Sequence, residues 1–427
     1  MIDINLIREN PEKVKEALKK KLWDADFTEL LELDKKKKEL IQFVEGNKAE
    51  MNKLSASVPA AKKAGEDVTK IFTKVKEIAA LNSQKEKELA ETESKIFDLL
   101  SVLPNIPDED LLAGGKENNK VIRVVNDKPN FSFKPKDHVE LATSLGLIDY
   151  DRAAKIAGHG AWIYTGLGAQ LEWALVNFFI SEHLKDGYQF ILPPHLLNEQ
   201  SGFTAGQFPK FKEDVFWLNG VEPNRFLLPT AETALVNLHR DEILKEEELP
   251  KKYFAYTPCY RREAGSYRSE ERGMIRGYQF NKVEMVQYTK PEDSDAAFEE
   301  LVAKAESLVK KLGLHYQVSK LAAGDISHSM ARTYDIEVYI PSIDIYKEVS
   351  SASNGRDYQA RRGMIRYRDN ASGKTKYVHT LNASGLATSR IFPAILEQFQ
   401  QEDGSVLVPE VLQPFMGGIK VLKPIKK

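Results

Sequence analysis

The chain contains one cysteine, Cys259, among its 427 residues. A single thiol can form neither an intrachain disulfide nor a cysteine-based zinc site. The sequence also lacks any apolar run of about 18 residues, the length that a membrane-spanning helix requires. Its N-terminus has no apolar core of the kind found in signal peptides. These absences predict a soluble, cytoplasmic protein that makes no membrane contact.

An excess of charge of one sign is also missing. The chain has 61 lysines and arginines against 63 aspartates and glutamates, which gives a formal net charge of −2. Any nucleic acid or other polyanion must therefore be bound by a local basic patch rather than by a field of the whole molecule. The eight histidines show no zinc-ligand spacing, so no zinc is expected.

Two common nucleotide-binding motifs are absent. The sequence has no G-x-x-x-x-G-K-[ST] loop, and no G-x-G-x-x-G lies between a predicted strand and a predicted helix. A nucleotide bound by this chain would therefore lie on neither a P-loop nor a Rossmann crevice.

Residues 28 to 100 predict a long helical hairpin. Apolar side chains recur at alternating steps of three and four along two segments, with a few polar interruptions. The first seam contains Leu30, Leu33, Lys37, Leu40, Val44, Asn47, Met51 and Leu54, and the second contains Ile71, Val75, Ile78, Asn82, Lys85, Leu89, Thr92, Ile96 and Leu99. Residues 55–59, together with Gly65, are the predicted turn. A dimerising coiled coil without a ligand is the simpler alternative.

The remainder of the chain predicts an α+β domain. Pro104 and Pro107 end the helical region, because proline cannot continue a helix. Residues 167–185 are amphipathic, and a strand over residues 188–192 ends at Pro193-Pro194. Further short strands are predicted around Tyr253, Gln279, Ile336 and Ile345, and a helix after Gly385. This pattern favours an antiparallel sheet flanked by helices, with an N-terminal region over residues 1–110 and a second domain over 111–427.

The most informative segment is a predicted hairpin with a basic loop. Its five arginines are Arg261, Arg262, Arg268, Arg272 and Arg276, and aromatic strands flank them. Guanidinium groups pair with phosphate or carboxylate oxygens through two parallel hydrogen bonds. The period of two places Arg276, Phe280 and Glu284 on one face of the second strand. A cation, an aromatic plate and a carboxylate suit a nucleotide beside an ammonium group. The alternative is a solvated loop of salt bridges.

Three further segments carry polar groups. They are Pro229-Thr230-Ala231-Glu232, the strand Tyr346-Lys347-Glu348-Val349-Ser350-Ser351, and the glycine-containing turn that precedes a helix with Arg390. The strand pattern places Glu348 and Ser350 on one face. Each segment alone has an ordinary explanation: Thr230 as a helix cap, Arg390 as a surface cation and Glu348 on a solvated strand.

Together these segments resemble the bacterial-type seryl-tRNA synthetases, a family of class II aminoacyl-tRNA synthetases. The resemblance runs nearly end to end, from Arg8-Glu9-Asn10-Pro11 through Leu103-Pro104-Asn105-Ile106-Pro107 to Val408-Pro409-Glu410. Motif 1 would lie at about 170–195, motif 2 at about 253–288 and motif 3 at about 381–400. The motif 2 sequence TPCYRREAGS, with TAE and EVSS, is highly specific for the serine enzymes.

The resemblance implies an enzyme that joins L-serine and ATP to form seryl-adenylate and then transfers serine to tRNA. The implied serine-binding residues are Thr230, Ala231, Glu232, Glu284 and Ser384. The implied ATP-binding residues are Arg261, Arg262, Glu263, Arg276, Phe280, Glu348, Val349, Ser350, Ser351 and Arg390. Arg261 and Arg390 would be catalytic, and Glu348 with Ser351 would hold Mg²⁺ against the phosphates.

The resemblance also implies partners. The helical hairpin would lie along tRNA(Ser), and tRNA(Sec) is an expected second substrate. The candidate phosphate contacts are Lys48, Lys53, Lys62, Lys63, Lys70 and Lys74, each of which could instead only aid solubility. Family members form homodimers through motif 1, and the arm of one subunit serves the active site of the other.

Three other functions remain open from the residues. A class II enzyme for threonine or proline would carry different pocket residues and a C-terminal anticodon-binding domain. A ligase that charges an acceptor other than tRNA tends to lack the long arm. A non-catalytic RNA-binding relative would have lost Arg261, Glu263, Glu348 or Arg390, and all four are present.

Overall fold

The computed structural model of the chain describes residues 1–220, 222–263 and 273–425. Its contacts divide the chain into two compact units. The smaller unit comprises Ile2–Glu16 and Asp24–Leu103, and the larger comprises Met1, Ala17–Trp23 and Pro104–Lys427. Ala17–Trp23 thus groups with the larger unit, a detail that the sequence pattern did not predict. The predicted division at residue 110 stays a prediction.

The described residues form twelve α-helices and eighteen strands. The helices are α1 (Ile4–Glu9), α2 (Pro11–Lys20), α3 (Thr28–Lys63), α4 (Thr69–Ser101), α5 (His138–Ser144), α6 (Tyr150–Ala157), α7 (Leu167–Lys185), α8 (Glu199–Thr204), α9 (Glu232–Leu235), α10 (Ser294–Lys311), α11 (Tyr358–Gly363) and α12 (Thr388–Gln398). The strands are β1 (Lys120–Val125), β2 (Ile148–Asp149), β3 (Ile163–Tyr164), β4 (Gln189–Ile191), β5 (Leu196–Asn198), β6 (Trp217–Leu218), β7 (Arg225–Leu227), β8 (Ile243–Lys245), β9 (Lys251–Tyr260), β10 (Gln279–Thr289), β11 (Tyr316–Lys320), β12 (Arg332–Ile340), β13 (Ile345–Asn354), β14 (Arg366–Arg368), β15 (Thr375–Tyr377), β16 (His379–Ala387), β17 (Val406–Leu407) and β18 (Val421–Leu422).

In the smaller unit, α3 and α4 form the predicted antiparallel hairpin. The predicted seam positions are buried or half-buried, and the exposed residues between them are mostly charged. Ion pairs also join the two helices, among them Lys36 with Glu88 at 2.8 Å and Lys74 with Glu50 at 2.7 Å. The alternating apolar pattern therefore predicted this element correctly, because burying one stripe of each helix is what holds two long helices together.

The predicted turn at residues 55–59 is wrong. Helix α3 continues through Pro59 to Lys63, and the connection lies at residues 64–68, where Gly65 has a φ of +74°. A proline inside a helix leaves the carbonyl four residues earlier without its N–H donor. Ser55 and Pro59 are both exposed, so water can bond that carbonyl and the helix tolerates the proline.

The larger unit is built on an eight-stranded sheet of order β1-β11-β12-β13-β16-β10-β9-β4. Neighbouring strands are antiparallel except β4, which pairs in parallel with β9. This is the predicted α+β architecture. The predicted helix over residues 167–185 is confirmed as α7. Among the described residues, no helix is long and apolar enough to span a bilayer.

The two faces of the sheet differ in chemistry. Val283 and Met285 of β10 point into the main hydrophobic core, where side chains of α7, α10 and α12 are buried. The alternate residues of β10, Lys282 and Glu284, line an open cleft instead. The period of two in a strand thus separates the apolar core from a polar surface.

Two further details of the sequence-based prediction are wrong. Gly385 lies within strand β16 rather than in a turn, and α12 begins directly after that strand at Thr388. A side chain at Gly385 would meet His183, since a Cβ there would lie 2.2 Å from the His183 Nε2 atom. Arg276 lies in the loop before β10. The path of that loop, and not strand alternation, therefore places Arg276 beside Phe280.

Candidate active site

The cleft on the polar face of the sheet has a volume of about 510 Å³. Strands β10, β13 and β16 form its floor, and the segment around Thr230 forms one wall. Its lining residues are Gln207, Phe211, Asp214, Val215, Pro229, Thr230, Glu232, Arg261, Glu263, Arg276, Lys282, Glu284, Ser327, Met330, Glu348, Ser351, Ser353, Asn382 and Ser384. Four segments that are distant in sequence thus meet at one place.

Glu284 is the most buried acid of the cleft, with only 1% of its surface exposed. Its Oε2 accepts hydrogen bonds from Lys282 Nζ at 2.7 Å and Ser384 Oγ at 3.2 Å. Its Oε1 accepts one from Asn382 Nδ2 at 3.1 Å. A buried carboxylate is stable only when it is paired and hydrogen-bonded, and Glu284 meets both conditions. Ser384 and Glu284 are therefore neighbours, as their shared predicted role requires.

Glu232 lies on the opposite side of Asn382. Its Oε1 accepts from Gln359 Nε2 at 2.7 Å, and its Oε2 accepts a longer bond from Asn382 Nδ2 at 3.4 Å. Burial and then the charge of Glu284 raise the pKa of Glu232 to about 7. Two carboxylates in one pocket repel each other, so a cation bound between them would be stabilised.

Thr230 connects these acids to the lysine. Its Oγ1 accepts from Lys282 Nζ at 2.8 Å and from the Glu232 backbone N–H at 3.3 Å. The N-cap residue of α9 is Ala231, so the alternative that Thr230 is only a helix cap is wrong, and its hydroxyl bonds Lys282. Ala231 is fully buried against the core beside Leu235 and does not line the cleft.

The cationic side of the cleft begins at Arg261, directly after β9. Its Nε donates to the Pro229 carbonyl at 3.3 Å, and its guanidinium lies 5.2 Å from the centre of the Phe280 ring. Arg276 is paired with Glu263. These four side chains border a small cavity of about 80 Å³ that adjoins the main cleft. An arginine, an aromatic ring and a carboxylate therefore meet here, but the carboxylate is Glu263 and not Glu284, which the strand pattern had placed beside Arg276 and Phe280.

Arg390 approaches the small cavity from the first turn of α12. Its Nη1 donates to the Glu348 carbonyl at 2.7 Å and lies 3.5 Å from Glu348 Oε2. Arg390 is therefore part of the site region and not merely a surface cation. Val349 touches the same cavity but is otherwise buried in the main core.

Glu348 and Ser351 both line the main cleft, whereas Ser350 does not. The Ser350 hydroxyl is buried and donates to the Ser384 carbonyl at 2.6 Å. The predicted pairing of Glu348 with Ser350 on one face is wrong, because a register shift between β12 and β13 falls at this point. A β-bulge of this kind adds a residue and turns the following side chains to the other face.

A further predicted ATP contact, Arg262, lies outside the cleft and the small cavity. Arg262 lines a second cavity, which shares Phe280 with the small one, and its Nη1 donates to the Glu213 carbonyl at 2.8 Å. It points away from Arg261, as neighbouring residues of an extended chain do. Arg268 and Arg272 of the basic loop lie outside the described residues.

Sequence inspection missed several residues of the cleft. Lys282 and Asn382 are hydrogen-bonded to the predicted acids, and Gln359 comes from α11, far along the chain. Lys282 and Asn382 could have been found from the sequence, because each lies two residues before a predicted site residue and therefore on the same face of its strand. Gln359 had no such signal. Asp335, on β12 beside Ser351, was also missed; burial, with Glu348 and Glu337 nearby, raises its pKa well above the ordinary value.

The candidate tRNA-binding lysines fall into two groups. Lys48 and Lys74 form ion pairs within the hairpin, with Glu86 at 2.8 Å and with Glu50 at 2.7 Å. Lys53, Lys62, Lys63 and Lys70 are exposed, and none has an ion-pair partner within the described part of the chain. The second group is better placed to meet phosphate groups.

Comparison with known proteins agrees with this geometry. Residues 216–399 match the tRNA synthetase class II core domain (G, H, P, S and T), which contains the arginine hairpin and the strand before Arg390. The fold and the site thus define a class II aminoacyl-tRNA synthetase. Residues 1–107 match the seryl-tRNA synthetase N-terminal domain.

Comparison with individual proteins identifies the family within this class. The chain is 63% identical over 425 residues to serine–tRNA ligase 2 of Clostridium acetobutylicum, covering 99% of this chain and 100% of that protein. It superposes on the seryl-tRNA synthetase of Pyrococcus horikoshii complexed with ATP with a TM-score of 0.92, at 34% identity and full coverage of both chains. The cytoplasmic serine–tRNA ligase of Naegleria fowleri in complex with AMP gives 0.88 at 27% identity, covering 100% and 99%. The chain therefore belongs to the seryl-tRNA synthetases, a family of aminoacyl-tRNA ligases.

Proposed function

We propose that this chain activates L-serine with ATP to form seryl-adenylate and pyrophosphate, and then transfers serine to the 3′ end of tRNA(Ser). The observation that carries the proposal is the division of the cleft into two halves. Glu232 and Glu284 form an acidic half, and Arg261, Arg276 and Arg390 border a basic half. An ammonium group suits the first half and phosphates suit the second.

The acidic half would bind serine. Its ammonium group would lie between Thr230, Glu232 and Glu284, and its hydroxyl would meet Ser384 and Glu284. Because these groups are buried, alanine would leave them unpaired, and a site built for a hydroxyl rejects the analogue without one by about 10⁴ to 10⁵-fold. Threonine would be rejected for lack of space for its methyl group.

The basic half would bind ATP. Phe280 would stack under the adenine ring, and Glu263 would accept a hydrogen bond from the adenine amino group. Arg276, now paired with Glu263, would turn to a phosphate. Arg261 would bridge the α-phosphate and the serine carboxylate, while Arg390 would cover the other face of the adenine or the γ-phosphate.

Serine's carboxylate is already a nucleophile, so the residues need only position it and stabilise charge. The carboxylate attacks the α-phosphorus, and pyrophosphate departs with the electron pair of the broken P–O bond. Negative charge rises on the α-phosphate oxygens, where Arg261 is preorganised by its bond to the Pro229 carbonyl. The terminal ribose hydroxyl of tRNA then attacks the mixed anhydride, and AMP leaves.

Magnesium fits the residues present. Glu348 and Ser351 offer oxygen atoms on one side of the cleft, and Mg²⁺ in nucleotide enzymes takes one or two protein oxygens and completes its shell with phosphates and water. Among the described residues, no group of three acids, histidines or cysteines could hold a metal alone. Bound there, Mg²⁺ would neutralise phosphate charge.

The helical arm would bind the long variable arm of tRNA(Ser) through its exposed lysines, in a cytoplasmic homodimer in which the arm of one subunit serves the site of the other. Family membership supports this assignment. We extend the proposal to tRNA(Sec) as a second acceptor. Charging of a tRNA(Sec) transcript by the purified protein tests that extension, and charging of tRNA(Ser) alone would contradict it.

Pyrophosphate exchange measured with each of the twenty amino acids tests the substrate. We expect ATP-dependent exchange with serine and at most trace exchange with threonine or alanine. Exchange that depends on another amino acid would overturn the assignment. Charging of tRNA(Ser), measured in parallel, separates adenylate formation from transfer.

A further inference from the structure

Glu172 is a buried acid that the proposed mechanism does not use. It lies in the second turn of α7, on the core side of the sheet, opposite the cleft, and only 4% of its surface is exposed. A buried carboxyl group costs free energy unless its bonds serve the structure or the function. The role of Glu172 therefore depends on the groups that its carboxyl oxygens contact.

The carboxyl group of Glu172 joins the strand of the arginine hairpin to the helix that carries Arg390. Its Oε1 accepts from Asn281 Nδ2 at 2.7 Å and from Thr388 Oγ1 at 2.6 Å. Asn281 directly follows Phe280, and its Oδ1 accepts in turn from the Tyr256 hydroxyl at 3.1 Å. Thr388 is the first residue of α12, two residues before Arg390. The Thr388 hydroxyl also lies 3.2 Å from the Asn281 carbonyl, so Glu172 Oε1 and this direct contact together join the two sides of the small cavity.

The second oxygen of Glu172 is different. Oε2 and the neighbouring Tyr164 hydroxyl are both buried and make no hydrogen bond of ordinary geometry among the described residues. The Tyr164 hydroxyl is nevertheless close enough to lower the pKa of Glu172 against the larger effect of burial. The titratable groups that face Glu172 are Tyr164 from β3 and Tyr256 from β9, and no cation is among the groups that shift its pKa. Burial raises the pKa of Glu172 to about 7.

We propose that Glu172 is a positioning residue for ATP, which fixes Phe280 and Arg390 by holding Asn281 and Thr388. The inference rests on the proposed ATP site. Glu172 itself lines neither the cleft nor the small cavity, so it acts through these two neighbours.

The protonation state decides how well this works. A neutral carboxyl group keeps Oε1 as acceptor for two donors and gives Oε2 a hydrogen that can be donated towards the Tyr164 hydroxyl. An ionised group is a buried anion with no cation beside it among the described residues, which is costly in a low-dielectric interior even when the Tyr164 hydroxyl donates to it. The ATP site therefore loosens as pH rises through about 7, where Glu172 loses its proton.

Two variants of Glu172 test the inference in the full chain. Glu172→Ala removes the oxygen that Asn281 and Thr388 share as an acceptor. We expect the KM for ATP in serine-dependent exchange to rise about 10-fold, which corresponds to the loss of one or two hydrogen bonds between uncharged groups. The KM for serine stays within about 2-fold. Glu172→Gln retains one acceptor and one donor, so we expect near-normal ATP affinity and no weakening of it between pH 6.5 and 8.5, unlike the parent chain.

The matched control is Glu182→Gln. Glu182 lies on the same helix, pairs with Lys185 and Lys311 and is remote from the cleft lining, so its KM for ATP should not change. Thermal unfolding of each variant separates misfolding from a local effect. Thr388→Val removes one of the two donors to Glu172 and also the contact with the Asn281 carbonyl, so it should raise the KM for ATP. Its effect combined with Glu172→Ala should be smaller than the sum of the two single effects.

Direct titration of ATP by calorimetry keeps the two proposals separable. If the parent chain binds ATP but shows no serine-dependent exchange, the proposed function fails while the ATP dissociation constants still test Glu172. An unchanged ATP affinity in Glu172→Ala, an equal rise in both KM values, or a Glu172→Gln variant that behaves like Glu172→Ala would each overturn the inference.

Discussion

At the scale of single residues, the cleft contains charges that are buried and yet fully partnered. Lys282 lies between the Thr230 hydroxyl and Glu284, and Asn382 bridges Glu284 and Glu232. Removing one member of such a network leaves the others buried without a partner, which typically costs about 3–5 kcal/mol. A small polar substrate can therefore be selected by which of these bonds it completes.

Arg261 should matter far more than its neighbour Arg262. We expect Arg261→Ala to lower the rate of serine-dependent pyrophosphate exchange by about 10² to 10³-fold, because it removes a preorganised donor at the α-phosphate. Its melting temperature should change little, since Arg261 is exposed. The measurement is exchange kinetics at saturating serine and ATP.

Arg262→Ala is the control for that experiment. Arg262 has the same chemistry and lies next in the chain, but its guanidinium donates to the Glu213 carbonyl beside another cavity. Its substitution should reduce the rate far less. Equal losses in the two variants would contradict the role given to Arg261.

Glu232 should make serine recognition depend on pH. Its pKa of about 7 means that the acid is protonated on the low-pH side, where it cannot pair with an ammonium group. We expect kcat/KM for serine to fall as pH is lowered from 8 to 6. The affinity for ATP should not fall over the same range, because its proposed weakening occurs as pH rises.

Glu232 also makes the stability of the folded chain depend on pH, with a trend opposite to that of serine recognition. The folded-state pKa is raised above the ordinary value of 4.5, so the folded chain binds the extra proton between these values. The contribution of Glu232 to the free energy of unfolding is therefore complete below about pH 4.5 and is lost as the pH rises through about 7. Glu232→Gln should flatten that part of the stability profile measured by urea unfolding. A profile identical to that of the parent chain would contradict the raised pKa.

At the scale of elements, the hairpin of α3 and α4 is the feature that the larger unit does not need for its own core. Apolar contacts near its base, at Leu30, Leu40 and Ile96, are buried, whereas the residues towards the turn are mostly exposed. The outer part of the arm can therefore be removed without opening the packed base.

Excision of residues 45–75, with the helices rejoined by a short glycine-serine turn, should abolish charging of tRNA(Ser). Adenylate formation should persist, because every proposed contact to serine and ATP lies in the larger unit. Parallel charging and exchange assays measure the two steps. An equal loss of both would argue against this division of labour.

A milder test uses the lysines that the hairpin leaves exposed. Lys62→Gln with Lys63→Gln should weaken tRNA binding and lower its salt dependence, as loss of phosphate contacts does. Lys48→Gln with Lys74→Gln is the matched control, since both of these lysines are already paired with glutamates.

At the scale of the whole molecule, the motif 1 segment exposes large apolar side chains. Trp173 and Leu184 of α7 are 54% and 52% exposed, and Leu192, after β4, is 74% exposed. Large apolar side chains left open to water in one segment commonly mark an interface. They support the proposed homodimer.

Leu192→Asp should shift the protein from dimer to monomer in sedimentation velocity at micromolar concentration, because it places a charge in the centre of an apolar contact. Leu407→Asp, at an exposed leucine of β17, is the control and should leave the dimer intact. A parent chain that sediments as a monomer would contradict the proposed assembly.

Much of this molecule follows from local pattern. The heptad seams of α3 and α4, the amphipathic stretch of α7 and the alternation along β10 are properties of short stretches, because burial of one face imposes a period on the sequence. The arginines of the basic loop, with Phe280 and Glu284 on its second strand, could be picked out from the residues alone, whereas Glu263 was named from the family resemblance. Family resemblance added the residues of the other segments.

Only the tertiary structure decided which side chains meet. The bulge that brings Ser351, and not Ser350, beside Glu348 depends on pairing with β12, and a neighbouring strand leaves no mark on the sequence of β13. Gln359 reaches Glu232 from α11, and Glu172 reaches Asn281 and Thr388 through the core. Contacts of this kind join residues that are far apart in the chain, so no local period encodes them. The paired state of Lys48 and the continuation of α3 through Pro59 were likewise set by the partner helix and by solvent rather than by the residues alone.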